Sequence, residues 1–347
     1  MSKKPKRLEL LTKHVDKTSL GIEIAPFFNP AVSKADGHNV VIVDIQSADG
    51  LRERVLRSEL IPSTRAQEIE EVDIVGDASS IATLVKNSSY ECDFSYIVSS
   101  HNFEHLPNPI KFLRGCTVVL KEGGMLSMAI PDYRCCFDHF RFPTRLSDWL
   151  RAYREDISAP DADMVFDSVS LRSRYNEIDE FFHATAIEKS VPDRFVVNRD
   201  VEKAFSLYSE LQELNAEYMD VHCTVTFAAA FELMVRDLIY LGELDMEVVE
   251  ITRTYGHEFF AHLRKTSNPS RDAEAFYTRR AALLRDIDHG LGPLGFDLVR
   301  NGTAKGYTER DFSLRRIAYL ILGEKGVTRL RGWNRQRRKK RRERGSV

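Results

Sequence analysis

Over the first 132 positions, apolar residues fall in short runs that each end on a turn-forming or acidic residue. Leu20 to Ala25 reads LGIEIA and stops at Pro26; Asn39 to Ile45 reads NVVIVDI and reaches an acid at Asp44. Val72 to Val75 precedes Gly76-Asp77, Phe94 to Ser99 precedes a polar loop, and Met125 to Ile130 precedes Pro131-Asp132. Short apolar runs rich in Val and Ile, without polar alternation, fit strands buried on both faces of a parallel sheet. Between them the apolar spacing becomes helical, over 48–59, over Ser79 to Lys86 with a serine cap, and around Ile110, Leu113 and Val118. Gly123-Gly124 reads as a tight turn into the fifth strand. Strands alternating with helices predict an α/β, doubly wound sheet, with its functional loops beyond the carboxyl ends of the strands.

The pattern breaks after Asp132. Residues 133–219 show helical stretches (Leu146 to Arg154, Val201 to Tyr218) and no strand alternation, so a helical insertion is expected, a cap over the substrate site. Phe227 to Leu241 is a strongly apolar helix. Met246 to Thr252 and Glu258 to Leu263 are two strands joined near Tyr255-Gly256, which predicts an antiparallel hairpin at the sheet edge. Helices follow over 270–287 and Leu314 to Leu322. The expected division is a core of 1–132 and 220–265, the insertion at 133–219, a helical C-terminal extension at 266–327 and a disordered tail at 328–347.

Charge changes the picture at one place. The formal net charge is −2, but Thr328 to Val347 hold ten Lys or Arg against one Glu, which leaves about −11 on the rest of the chain. An acidic body excludes a protein built throughout for nucleic acid, and no aromatic–basic binding module is visible. The tail suits weak contact with an anionic membrane surface, helped by Leu314 to Leu322 and Trp333. No run of about 18 apolar residues occurs, and the basic N-terminus lacks the apolar segment of a signal peptide. Five scattered cysteines with no Cys-x-x-Cys pair fit reduced thiols and a cytoplasmic setting, peripheral to the inner membrane face if the tail docks there.

Five segments together carry a family resemblance: IEIAPFFNP (22–30), VVIVDI (40–45), IVGDASS (74–80), DFSYIVSSHNFEHLPNP (93–109) and LKEGGMLSMAIPD (120–132). The chain resembles the class I S-adenosylmethionine-dependent methyltransferases. IPDYRCCFDHFRFPT (130–144) further resembles a subgroup encoded near glycosyltransferases in surface-polysaccharide gene clusters. The resemblance implies a Rossmann-like seven-stranded sheet with a terminal antiparallel hairpin, S-adenosyl-L-methionine as cofactor, and O-methylation of a small-molecule acceptor, a sugar or glycan. The sequence does not indicate an oligomeric state.

An acid ending the second strand can accept hydrogen bonds from both ribose hydroxyls, and Asp44 stands there with Ile45 beside it. By resemblance Asp77 meets the adenine amine and Ala78 gives a backbone contact. Glu23 orients the amine end, Ala25 and Pro26 approach the cofactor, and Ser99, Ser100 and His101 line its reactive end. Methyl transfer to a hydroxyl needs a base for the departing proton, and His101, Asp132 and His139 are the expected catalytic residues. Asp138 and His222 are further candidates, whereas His105 is expected to be a packed structural histidine. One departure stands out. The family loop is glycine-rich, E-x-G-x-G-x-G, while this chain has Glu23-Ile-Ala-Pro-Phe-Phe-Asn-Pro30. A methyltransferase-like scaffold without cofactor is therefore the alternative.

Two other readings fit less well. His101-Asn-Phe-Glu104-His105 matches the zinc-peptidase motif H-x-x-E-H, which requires a long helix. Here a strand precedes it and Pro107 and Pro109 follow, so no metal is assigned, although Asp132, Asp138, His139, His183 and His222 carry ligating groups. A nicotinamide oxidoreductase would also use Asp44, but G-x-G-x-x-G is missing from the first loop.

Overall fold

The computed structural model describes residues 6–175, 195–197, 199–212 and 218–291. His183, the expected helix at 314–322 and the basic segment 328–347 lie outside the described residues. Seven strands form one sheet: β1 (Gly21–Ile24), β2 (Val40–Asp44), β3 (Ile74–Val75), β4 (Phe94–Ser100), β5 (Leu120–Pro131), β8 (Met246–Ile251) and β9 (Glu258–Lys265). β6 (Ser173–Tyr175) and β7 (Phe195–Val197) pair separately as a short antiparallel ribbon. The order across the large sheet is β3-β2-β1-β4-β5-β9-β8, with β1 to β5 parallel and β9 and β8 antiparallel. This is the expected doubly wound Rossmann-like sheet with its terminal antiparallel hairpin. No described helix is long and apolar enough to cross a membrane.

The helices are α1 (Lys6–Leu11), α2 (Ala48–Arg57), α3 (Ile81–Lys86), α4 (Pro109–Val119), α5 (Leu146–Arg154), α6 (Ala162–Ser170), α7 (Val201–Leu211), α8 (Ala228–Leu241) and α9 (Ala273–Leu291). Strand alternation divides the core. Ile22, Ile24, Ile97, Leu126, Met128 and Phe259 face one layer with α3, α4 and α8, while Tyr96, Val98, Ala129 and Phe260 face the other with Leu11 and Val32. The Asn-Pro pair before α4 has a clear local cause. Asn108 is fully buried, accepts the Lys111 N–H as helix cap and donates to the Ala152 carbonyl, and Pro109 opens the helix where no N–H is needed.

Two features differ from the sequence reading. Gly123-Gly124 does not end a helix–strand turn; β5 runs through it, and the register with β4 slips between the pairs Phe94–Leu120 and Tyr96–Met125. Glycine is needed there because Gly123 sits at φ +78° and a Cβ on Gly124 would lie 2.9 Å from the carbonyl oxygens of Lys121 and Phe94. The segment after Asp132 contains the β6–β7 ribbon as well as helices, and three-residue strands are too short to show alternation.

β1 lies so close to β4 that Gly21 has no room for a side chain: a Cβ would sit 2.1 Å from the buried Tyr96 ring. Gly21→Ala is expected to lower stability by about 1–3 kcal/mol through overpacking. Urea unfolding checks this, with a lower midpoint at unchanged slope; an unchanged midpoint would contradict the close packing.

Candidate functional site

The sheet reverses its winding between β1 and β4, whose carboxyl ends lie side by side with Ile24 opposite Ser99. In open α/β sheets the crevice beyond such ends is where ligands bind. Both chains leave it through left-handed backbone without glycine: Ala25 has φ +50°, Phe27 +52° and His101 +50°. Each such residue costs on the order of 1–3 kcal/mol and persists only where its surroundings hold it. Here the Ala25 N–H donates to the Val43 carbonyl at 2.8 Å and the His101 N–H to the Ala129 carbonyl at 3.0 Å. Glu23 holds the loop from inside. Its buried carboxylate accepts the N–H groups of Ala31 (2.6 Å) and Val32 (3.0 Å), and burial pushes its carboxyl up to about 7. Glu23 therefore braces the loop that carries Ala25 and Pro26.

Asp44 ends β2, 5% exposed, and its carboxylate is served by backbone N–H groups of Ile45 and Gln46, with no ion pair among the described residues. Burial raises its carboxyl above the ordinary value. Beside it Ile45 is 57% exposed, an apolar side chain presented to the rim. Asp77 caps the next turn by accepting the Ser79 N–H at 2.9 Å, with Ala78 buried behind it. On β4, Ser99 is buried and accepts from Asn102, and Ser100 accepts from Arg7 at 2.8 Å.

His101 is clamped by acids. Its Nε2 lies 2.9 Å from Glu258 and its Nδ1 3.5 Å from Glu104. Arg7 forks onto the two oxygens of Glu258 at 2.7 and 2.9 Å. The ring keeps about a third of its surface open, 35%, but both nitrogens face carboxylates. Burial lowers the imidazole pKa, and the hydrogen bonds and charges of Glu104 and Glu258 outweigh it, so the value rises to about 9. His101 is therefore an imidazolium at neutral pH and cannot accept a proton there.

The other expected bases are also engaged. Asp132 is fully buried after β5, bound by Arg134 at 2.6 and 2.8 Å and by the Thr254 hydroxyl at 2.5 Å. His139 donates Nδ1–H to the Arg134 carbonyl at 2.7 Å, and burial lowers its pKa, which keeps it neutral. Asp138 pairs with Arg141 at 2.9 Å and with His222 Nδ1 at 2.5 Å; burial raises its carboxyl, but the interactions with those two side chains outweigh it and hold it below the ordinary carboxylate range. His105 Nδ1 meets Asp220 at 2.8 Å and its ring stands edge-on to His222, 4.7 Å between centroids.

The structure thus brings together Ala25, Asp44, Asp77, Ser99 and His101 along one sheet edge, and places Asp132 and His139 just past β5. His101 and His105 do not share a helix as H-x-x-E-H histidines: Phe103–His105 is a 3-10 turn, and although both rings lie against Glu104, the closest acid is Glu258 for His101 and Asp220 for His105. Sequence reasoning missed Arg7, Glu258 and Asp220. Glu258 alone carried a signal, as the single acid before the apolar FFAHL run.

No protein-family model and no curated protein matches the sequence. Among solved structures the chain is similar to the PH0226 protein from Pyrococcus horikoshii OT3, with 15% identity, 75% of this chain and 90% of that chain covered, and a TM-score of 0.36. It is similar to the glycopeptide N-methyltransferase MtfA complexed with S-adenosyl-L-methionine, at 13%, 74% and 92%, and 0.33. A SAM-dependent methyltransferase from Methanosarcina mazei gives 11%, 74% and 96%, and 0.35.

The His101 clamp has a signed pH signature. Its pKa is raised from 6.5 to about 9 on folding, so its stabilisation is complete below 6.5 and is lost as pH rises through about 9. The thermal midpoint of His101→Gln, relative to wild type, is expected to fall furthest behind below pH 6.5 and to converge with it above pH 9. A constant gap across that range would contradict the charged clamp.

Proposed function

We propose that the chain is an S-adenosylmethionine-dependent methyltransferase that methylates an oxygen of a sugar or glycan acceptor. The observation that carries this reading is the edge at Ala25 and His101 with Asp44 beside it, a buried carboxylate whose hydrogen bonds, among the described residues, come from backbone N–H groups. Such a carboxylate has the remaining acceptor capacity that a ribose diol requires. Exposed Ile45 offers an apolar surface to the adenine, with Asp77 and the Ala78 backbone toward its edge. S-adenosylmethionine, when bound, supplies an electrophilic methyl group on a sulfonium. The resemblance in the motifs of 22–132 supports that cofactor, and the substrate class rests on the resemblance of 130–144.

The protein's part is mainly positioning, because an in-line displacement needs the acceptor oxygen aligned with the methyl carbon. His101 serves here as a fixed cation and an anchor for the β4 loop. A proton leaving the acceptor hydroxyl goes instead to a neutral group. His139 is the candidate among the expected bases, with its proton held on Nδ1 by the Arg134 carbonyl and its pKa lowered by burial.

Calorimetry with S-adenosylmethionine and S-adenosylhomocysteine tests the reading. Wild type is expected to bind both, and Asp44→Ala to weaken binding about tenfold or more, the loss of one charged hydrogen-bonding partner. Ala25→Gly is expected to keep binding, because glycine takes the left-handed turn at no steric cost, and Ala25→Val to lose it. No heat at millimolar cofactor would favour the scaffold alternative and reject the enzyme.

A further inference from the structure

Glu104, His105 and His222 each bring one ligating atom to within 4.8 Å of the others. Local packing creates the cluster. Phe103 is fully buried against Phe112, Trp149 and Phe231, which pins the turn and leaves Glu104 inside it. The chain returning from the insertion is fixed on the same turn, since the N–H groups of Cys223 and Thr224 both donate to the Glu104 carbonyl, at 2.7 and 3.0 Å. His222 is delivered beside His105 as a result.

The imidazoles are set up to ligate. His105 Nδ1 meets Asp220 and His222 Nδ1 meets Asp138. A carboxylate only accepts, so each Nδ1 carries a proton, and each Nε2 offers its lone pair to a metal once the ring is neutral. This carboxylate–histidine arrangement is what metal-binding histidines use to fix tautomer and orientation. Glu104 is 1% exposed. Its Oε1 faces His101 at 3.5 Å and His105 at 4.0 Å, while its Oε2 is buried with no hydrogen-bond partner among the described residues. An unpartnered buried carboxylate oxygen is costly, and a cation would satisfy it.

Two other histidine–acid clusters lack these properties. At His14, Glu250 and His262, Glu250 is paired to Lys13 at 2.5 Å and Arg264 is close by, so the surroundings are cationic. At His101, His257 and Glu258, both Glu258 oxygens are already occupied by Arg7 and His101.

We propose that Glu104, His105 and His222 form a three-ligand site for a divalent first-row transition ion, with Asp220 and Asp138 as the carboxylates that orient the two histidines. Two imidazoles and one carboxylate suit zinc well. Ligands on a tetrahedral ion with bonds of about 2.1 Å are about 3.4 Å apart, so the side chains close by an ångström or so on binding. Three protein ligands leave a coordination position open for an oxygen ligand. The site does not depend on the methyltransferase reading.

The test uses the full chain stripped with chelator, then titrated with cobalt(II) and with zinc, followed by metal analysis after dialysis. Wild type is expected to develop the d–d absorption of protein-bound cobalt, to retain about one zinc per chain, and to melt higher with zinc. Glu104→Gln and His222→Ala are expected to lose all three responses. Asp220→Asn, at an exposed acid, is expected to weaken zinc about 10- to 100-fold with the fold intact, and His14→Ala to leave it unchanged. Wild type that takes up no zinc at micromolar concentration overturns the proposal whatever the variants do. So does full zinc retention in a folded Glu104→Gln, or loss of zinc in His14→Ala.

Discussion

Two neighbouring parallel strands, β1 and β4, end side by side and must send their chains in different directions, and both do so through left-handed residues that are not glycine. The rest of the edge is organised to hold those turns. Glu23 gathers the returning loop by accepting two of its N–H groups, and the β2 and β5 carbonyls take the N–H groups of Ala25 and His101. A glycine-rich loop would reach the same backbone with no internal brace. This chain reaches it with a buried carboxylate that braces the loop from within.

Beyond that turn, the edge is built from acids that each collect basic or hydroxyl partners, at least one of them from a remote segment. Glu258 draws in Arg7 and His101, Asp132 draws in Arg134 and Thr254, and Asp138 draws in Arg141 and His222. Buried charges of this kind are costly to break singly, because the surviving partner is left uncompensated. They therefore fix the relative positions of the N-terminal helix, the β4 and β5 loops and the start of β9. The segment at 222–226 completes this arrangement: it bonds to Glu104 after β4 and bridges to Asp132 after β5, so the chain returns to the sheet beside these two strand ends.

The sheet was readable from the sequence because buried parallel strands are apolar along most of their length, as in NVVIVDI and FSYIVSS. Gly123-Gly124 was misleading because glycine serves a bulge as well as a turn, and only the pairing with β4 distinguishes them. Positions at strand ends were likewise legible: Asp44, Asp77, Ser99 and His101 all lie on the carboxyl edge. Their chemical states were not, since these depend on residues distant in sequence. His101 reads as a base until Glu258, 157 positions away, is seen to hold it as a cation. Asp132 reads as a base until Arg134 and Thr254 are seen to occupy it. Arg7, within a polar lead-in, carried no sequence signal at all.

The central claim is that the glycine-poor edge at Ala25 and His101 holds the cofactor against Asp44. The most direct measurement is a crystal structure with S-adenosylhomocysteine. The account predicts the ligand across the carboxyl ends of β1 and β4, with both ribose hydroxyls in hydrogen-bond contact with Asp44 and the adenine against Ile45. A ligand bound elsewhere, or one at this edge with its ribose turned away from Asp44, would contradict it.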